Sequence, residues 1–200
     1  MVRKAELPDR GRVGLVRFAL VALLVLAACT DSPAARLRAA YPEHAEAILA
    51  ETPPPTGMRM QSVGAGARRF VLDDGFVVTV RESGVRGSTF WGATDRGYEE
   101  WLLVEAPTAG SPVAEWKIEG GTFRRRGQDV EVLDHEGRPR IVVRAPKAFD
   151  GDRPIRVWLE ATRAQLSLFV GESSSGRPLL IDPLWKPVAA PAVARLQHTA

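Results

Sequence analysis

The sequence predicts a mainly β protein, an antiparallel β-sandwich or open barrel of about ten short strands, with a short N-terminal helix after a signal peptide. Apolar and polar residues alternate with a period of two in many short runs after residue 68, as in FVVTVRE and IRVWLEA. Turn-forming residues separate the runs, as in Asp73-Asp74-Gly75 and Gly120-Gly121. Short strands at this spacing are typical of sandwiches and barrels.

The alternation also predicts which side chains form the core. Residues on the apolar phase of successive strands are expected to share one sandwich core, among them Trp101, Leu103, Ile118, Val157, Leu166 and Leu168. Leu179, Leu180 and Ile181 are expected to form the final strand, and the ordered domain to end near Trp185.

The first 28 residues have the layout of a signal peptide. Residues 1–17 carry five basic and two acidic residues, and residues 18–28 are an uncharged apolar run. That run is shorter than the roughly 20 residues that span a bilayer, but it fits the apolar region of a signal peptide. We therefore expect residues 1–28 to be removed on export.

Cys29 is the only cysteine of the chain, so it cannot close an intrachain disulfide. Leu26, Ala27, Ala28 and Cys29 resemble the lipobox of bacterial lipoproteins, with Leu26 to Ala28 as the signal-peptidase motif. The resemblance implies that Cys29 becomes the acylated N-terminus and joins the protein to a membrane. Because Thr30 and not Asp follows, it implies the outer membrane or cell surface. The alternative is ordinary secretion with an inert thiol.

The net charge of +3 comes from the signal peptide. The chain has 27 basic and 24 acidic residues, and taking away the five and two in residues 1–28 leaves 22 of each. A neutral mature chain has no overall field to attract nucleic acid, so we predict no nucleic-acid partner.

Three parts are expected after the signal peptide. Residues 29–56 hold a helix over 33–50, capped by Asp31 or Ser32 and interrupted at Pro42, and then the proline-rich linker ETPPPTG. Residues 62–185 form the β domain. Residues 186–200 form a tail, rich in Ala and interrupted by Pro, that buries little.

No set of residues has the spacing of a catalytic or metal site. His44, His135 and His198 lack metal-ligand spacing, and GESSSG at 171–176 misses the nucleophile-elbow pattern. Glu99 and Glu100 are strand neighbours, which face opposite sides and cannot flank one bond. We predict no catalytic residue, no metal and no cofactor.

Two charged or aromatic features are candidate binding sites. Alternation places Arg124 and Arg126 on one strand face and Arg125 on the other, which favours a solvated face or a guarded edge over a phosphate site. Trp158 falls on the polar face of its strand, so it is the one weak candidate for an exposed stacking surface.

Residues 98–185 resemble the β-rich domain that precedes kelch or SBBP β-propeller repeats in secreted bacterial proteins of the myxobacterial type. The resemblance rests on Trp101-Leu102-Leu103, Ile118-Glu119-Gly120, the turn at 134–137, APKA at 145–148 and PLLIDP at 178–183. The tail ARLQHTA at 194–200 resembles the opening of a first kelch repeat. No later blade is present, so the chain is either a truncated product or a leading domain that stands alone.

The expected function is that of a non-enzymatic, lipid-anchored cell-envelope protein, a structural or interaction module with a protein or glycan partner that the sequence does not identify. The alternative is an envelope carbohydrate-binding module or hydrolase that uses a sandwich face. An exposed aromatic surface or a concave cluster of titratable side chains would favour the alternative.

Overall fold

The structure is a computed structural model that describes residues 32–105, 107–108, 110–151, 153–173 and 176–188. The described residues do not include the lipobox, which consists of Leu26, Ala27, Ala28 and Cys29. They also do not include the tail at 194–200 that resembles the opening of a kelch repeat.

Two short helices precede the strands, α1 (Pro33–Ala40) and α2 (Pro42–Leu49). The hydroxyl of Ser32 accepts a hydrogen bond from the backbone N–H of Ala35 at 3.2 Å and so caps α1. Pro42 lacks an N–H to continue α1 but suits the first turn of a helix, so α2 begins there. The predicted helix with a break at Pro42 is confirmed.

The first sheet has six antiparallel strands. They are β1 (Met58–Ser62), β2 (Ala67–Leu72), β3 (Val77–Val85), β6 (Ala114–Glu119), β12 (Val157–Ala161) and β13 (Gln165–Val170). Their order across the sheet is β1-β2-β3-β6-β13-β12. β1 begins ahead of residue 62 because Met58 and Met60 lie opposite Leu72 and Phe70 and extend the apolar inner face.

The second sheet has nine strands. They are β4 (Gly87–Thr94), β5 (Gly97–Val104), β7 (Thr122–Arg126), β8 (Asp129–Leu133), β9 (Pro139–Arg144), β10 (Ala148–Asp150), β11 (Arg153–Ile155), β14 (Leu179–Ile181) and β15 (Leu184–Pro187). The strand order across this sheet is β11-β10-β14-β5-β15-β9-β8-β7, and β4 pairs with β5 in addition to this order. The two sheets are not closed into a barrel, and the prediction of a mainly β, antiparallel sandwich is confirmed.

The described residues form fifteen strands where about ten were expected, because several strands have only three or four residues. The last predicted strand is one such case. It is broken at Asp182-Pro183 into β14 and β15, which both pair with the same edge of β5. Gly97 permits this close approach, since a Cβ there would lie 2.2 Å from the carbonyl oxygen of Trp185. The final strand continues to Pro187.

The nine-stranded sheet is covered on both faces. The six-stranded sheet packs on one face and forms the sandwich core, to which Leu166 and Leu168 belong as predicted and to which Ile118 and Val157 pack as partly buried neighbours. The helices pack on the other face and form a second hydrophobic cluster there. This second cluster consists of Leu37, Tyr41, Ala45, Ile48, Leu103 and Leu180.

The prediction that Trp101 and Leu103 belong to the sandwich core is therefore wrong. Alternation along β5 turns Tyr98, Leu102 and Val104 toward the six-stranded sheet, and Trp101 and Leu103 toward the helices. A period of two separates the faces of a strand, but it does not show that both faces are covered.

Truncating one residue of each cluster should show which of the two layers that residue stabilises. Leu103→Ala and Leu168→Ala should each lower the free energy of unfolding by about 2–5 kcal/mol, because both side chains are fully buried. Only Leu103→Ala should make α1 and α2 sensitive to limited proteolysis in the native state. Val77→Ala is the control, since Val77 is 44% exposed and should change stability by less than about 0.5 kcal/mol. Equal proteolytic resistance of the helices in both variants would contradict the assignment of Leu103.

Candidate functional site

Trp158, the weak binding candidate, lies on the solvent-facing side of the six-stranded sheet, as its phase on β12 predicted. Its neighbour across β13 is Phe169, with the ring centroids 5.5 Å apart and an interplanar angle of 10°. The guanidinium carbon of Arg156 lies 5.1 Å from the Trp158 ring centroid, and the indole N–H donates to Glu160 at 3.1 Å. The two rings are half-buried, while Arg156 and Glu160 are exposed.

The strand alternation extends this surface across the sheet. We call it the outer face and define it by the outward side chains of Arg59, Arg69, Arg81, Lys117, Trp158 and Phe169. Its four cations are exposed. The residues between them in sequence point inward to the sandwich core.

The most unusual side chain of the interior is Glu100, on the central strand β5. It lies on the inward phase with Tyr98 and Leu102 and is fully buried. One carboxyl oxygen accepts a hydrogen bond from the indole N–H of Trp116 at 3.0 Å, and the other accepts one from Trp185 at 3.1 Å. Trp116 lies on β6 of the opposite sheet, so this carboxyl joins the two sheets.

Burial raises the pKa of Glu100 well above its usual range, and the charge of Glu82 raises it further. The two indole donors and the positive charge of Arg68 oppose the shift in pKa but do not reverse it. Glu100 is therefore favoured in its neutral form over a wider pH range than an exposed glutamate.

Aromatic rings surround this carboxyl. The Trp185 ring stacks on Phe70 at 5.6 Å and meets the edge of Trp116 at 6.2 Å between centroids. Trp91 lies 6.0 Å from Trp185 and 5.9 Å from Phe70. The rings exclude water from Glu100 and fix the two indoles that bind it.

A cavity of about 450 Å³ opens beside the aromatic rings that surround Glu100. It is lined by Arg68, Glu82, Thr89 and the backbone of neighbouring glycines. The Thr89 hydroxyl donates to Glu82 at 3.2 Å, and the Arg68 guanidinium lies 5.8 Å from the Trp91 ring centroid.

Two carboxyl groups with different environments can serve as acid and base in hydrolases. Here, however, both oxygens of Glu100 are bound by indoles and the side chain has no exposed surface. A substrate in the cavity beside Glu82 would not reach it without displacing the core. The arrangement therefore favours a structural role for Glu100.

The arginines considered as a phosphate site hold a second buried carboxylate. Arg124 and Arg126 pair with Glu131 at 2.6 and 2.8 Å, while Arg125 points the other way, as the alternation predicted. Glu131 is 1% exposed. Burial acts to raise the pKa of Glu131, but the hydrogen bonds from the two guanidinium groups hold it below its usual value.

The turn at residues 134–137 is fixed by Asp134. Its carboxylate accepts hydrogen bonds from the backbone N–H groups of Glu136 and Arg138, both at 2.9 Å, and from the side chain of Arg140 at 3.0 Å. Burial acts to raise the pKa of Asp134, but these donors hold it well below its usual range. The acidic turn residues are thus explained by turn geometry.

Among the described residues, no group of three or more His, Cys, Asp or Glu side chains is placed to hold a metal ion. His44 and His135 lie apart, on α2 and in the 134–137 turn, and His198 lies outside the described residues. In the GESSSG segment, the Ser173 hydroxyl donates to Asp150 at 3.1 Å.

Comparison with known protein families, with curated proteins and with solved structures finds no match to this chain. Within the described part of the chain, no helix combines the length and apolar character needed to cross a bilayer.

Sequence reasoning assigned Glu99 and Glu100 to opposite faces but gave Glu100 no role. The structure confirms the opposite faces, with Glu100 in the core. The signal was present, since Glu100 occupies the apolar phase of Tyr98, Leu102 and Val104. The two tryptophans that bind it lie far away in sequence, so the pairing was not visible.

Replacing Glu100 with Gln should destabilise the protein most at low pH. The amide presents an N–H₂ group to one indole and leaves that donor unsatisfied, at a cost of about 1–3 kcal/mol. Because the folded-state pKa of Glu100 is raised, the wild type has its full stability below the unfolded pKa of about 4.3 and loses stability as pH rises through the folded value. The difference in unfolding free energy between wild type and E100Q should thus shrink as pH rises.

Denaturant unfolding of both proteins at several pH values measures this difference. Asp182, whose pKa burial raises to about 6, is retained in both proteins and cancels in the comparison. A difference that grows with pH would show that the indoles favour the carboxylate strongly enough to lower the pKa of Glu100.

Proposed function

We propose that this protein is a non-enzymatic, lipid-anchored module of the bacterial cell envelope, whose sandwich holds the chain after residue 187 away from the membrane. The observation that carries the proposal is the position of the two ends of the described chain, residues 32 and 188. α1 begins beside one end of β5, and the final strand leaves at the other end.

The beginning of α1 lies at the Val104 end of β5. Arg36, in its first turn, donates to Glu105 at 2.6 Å and to Ser88 at 2.8 Å. Glu105 follows Val104, the last residue of β5, and Ser88 follows Gly87, the first residue of β4, which lies opposite Val104. The helices then run along the sheet, and Thr52, after α2, donates to the carbonyl of Ala93 near the Gly97 end.

The chain leaves at the Gly97 end of β5. Trp185 lies opposite Tyr98, Pro187 lies opposite Ile141 on β9, and the N–H of Val188 donates to the carbonyl of Arg140 at 2.9 Å. β5 has eight residues. At about 3.3 Å per residue, the two ends are separated by roughly 23 Å along this strand.

The sequence places the proposed anchor close to the helix. Only Thr30 and Asp31 separate Cys29 from the capping residue Ser32. Three steps of an extended chain reach at most about 11 Å. An acylated Cys29 would thus hold the Val104 end near the bilayer and leave the Gly97 end distal.

The kelch-like resemblance agrees with this arrangement, because in that family propeller repeats follow the leading β domain. A segment joined after residue 187 would begin on the distal side. The non-enzymatic part of the proposal is supported by Glu100, whose raised pKa arises in an enclosed site where both oxygens serve the fold.

The anchor is tested by Cys29→Ser. The parent should carry acyl groups on an N-terminal Cys29 by mass spectrometry and partition into the detergent phase. The variant should be soluble or remain an unprocessed precursor. A variant that is still processed and membrane-bound would refute lipidation at Cys29.

The orientation is tested with a fluorophore on a single introduced cysteine, Arg86→Cys at the Val104 end or Asp95→Cys at the Gly97 end. Both positions are exposed. In vesicles with a quencher on the lipid headgroup, the label at 86 should be quenched more strongly, because roughly 23 Å of strand separates the two sites. Equal quenching, or stronger quenching at 95, would contradict the proposed orientation.

A further inference from the structure

We propose that the outer face of the six-stranded sheet binds an acidic polysaccharide. This goes beyond the proposed anchoring function and does not depend on acylation of Cys29. The argument rests on the cations of the outer face, the partners of its carboxylates and its aromatic pair.

Two cations face each other across neighbouring strands. Arg81 on β3 lies directly opposite Lys117 on β6. Like charges at directly opposite positions destabilise a sheet. Glu119 approaches Arg81 at 4.0 Å, which is the limit of an ion pair. The folded domain thus keeps a concentration of positive charge that folding does not require.

Two further carboxylates of the same side are occupied by neutral partners. Glu115 accepts hydrogen bonds from Gln165 at 2.6 Å and from Ser167 at 3.3 Å, and Glu160 accepts one from Trp158. Within the described residues, Arg59, Arg69 and Lys117 have no carboxylate within 4.0 Å. These three cations are therefore available to an anionic ligand.

The aromatic pair lies at the other edge of the sheet, on β12 and β13. Trp158 and Phe169 are nearly parallel and half-buried, and the Arg156 guanidinium lies over the Trp158 ring. Apolar C–H faces of sugar rings pack on aromatic rings, and guanidinium and ammonium groups pair with carboxylates. A sheet face that carries both features suits an extended chain of uronic acids.

The composition of the face argues against a membrane as the occupant. Val77 is the one large apolar side chain that is highly exposed among the described residues. A surface that binds bilayers normally inserts apolar side chains. A ligand recognised by charge alone would not need Trp158, so the contribution of this side chain distinguishes a polysaccharide from other polyanions.

The experiment measures binding of polygalacturonate to the processed protein in uncharged detergent, by calorimetry at low ionic strength. Binding should weaken with added salt. The double variant Arg81→Gln/Lys117→Gln should lose about tenfold or more in affinity. Trp158→Ala should lose about fivefold or more because one stacking ring is removed. Unfolding curves verify that each variant is folded.

The matched control is Arg96→Gln/Arg125→Gln, which removes the same charge from two exposed arginines outside the outer face, one in the turn between β4 and β5 and one on β7. Its affinity should equal that of the parent, and neutral dextran should not bind. The proposal is refuted by absence of polygalacturonate binding or by an equal loss in the control. It is also refuted if inorganic polyphosphate binds as tightly and Trp158→Ala has no effect.

Discussion

The carboxyl of Glu100, held between the indoles of Trp116 and Trp185, is the interaction on which the rest of the fold depends. It is a fully buried polar contact between the two sheets, because Glu100 and Trp185 belong to the nine-stranded sheet and Trp116 to the six-stranded one. A buried carboxyl with an unsatisfied oxygen would cost about 1–3 kcal/mol or more. The two indoles must therefore keep one orientation, and the apolar packing around them is specified by it.

The constraint extends to both chain ends. Trp185 fixes β15 against β5, and the break at Asp182-Pro183 lets β14 pair with the other half of the same edge. The opposite face of β5 carries Leu103, on which the helices dock. The described chain thus begins beside the Val104 end of β5, and its last strand ends beside the Gly97 end of β5. This is the feature that suits the proposed role as a spacer between a lipid anchor and a distal segment.

Much of the architecture follows from local sequence. The period of two, the Asp and Gly turns and Pro42 predicted the sandwich, the helix and its break, and the phase of Trp158 predicted its outward position. The covering of both sheet faces was not predictable, because Leu103 alternates like a sandwich residue whichever layer covers it. Glu100 looked like an ordinary strand glutamate, since its partners Trp116 and Trp185 are distant in sequence. The short strands β10, β11 and β15 depend on tertiary pairing, which overrides local pattern.

Hydrogen exchange at the tryptophan indole N–H groups, followed by NMR, tests the central claim most directly. If the Glu100 carboxyl holds Trp116 and Trp185 in an enclosed core, both indole N–H groups should exchange only through global unfolding, with protection that matches the free energy of unfolding. The indole N–H of Trp158, bonded to an exposed carboxylate, is the internal reference and should exchange fast. Exchange of the Trp116 and Trp185 groups at the rate of Trp158 would contradict the account.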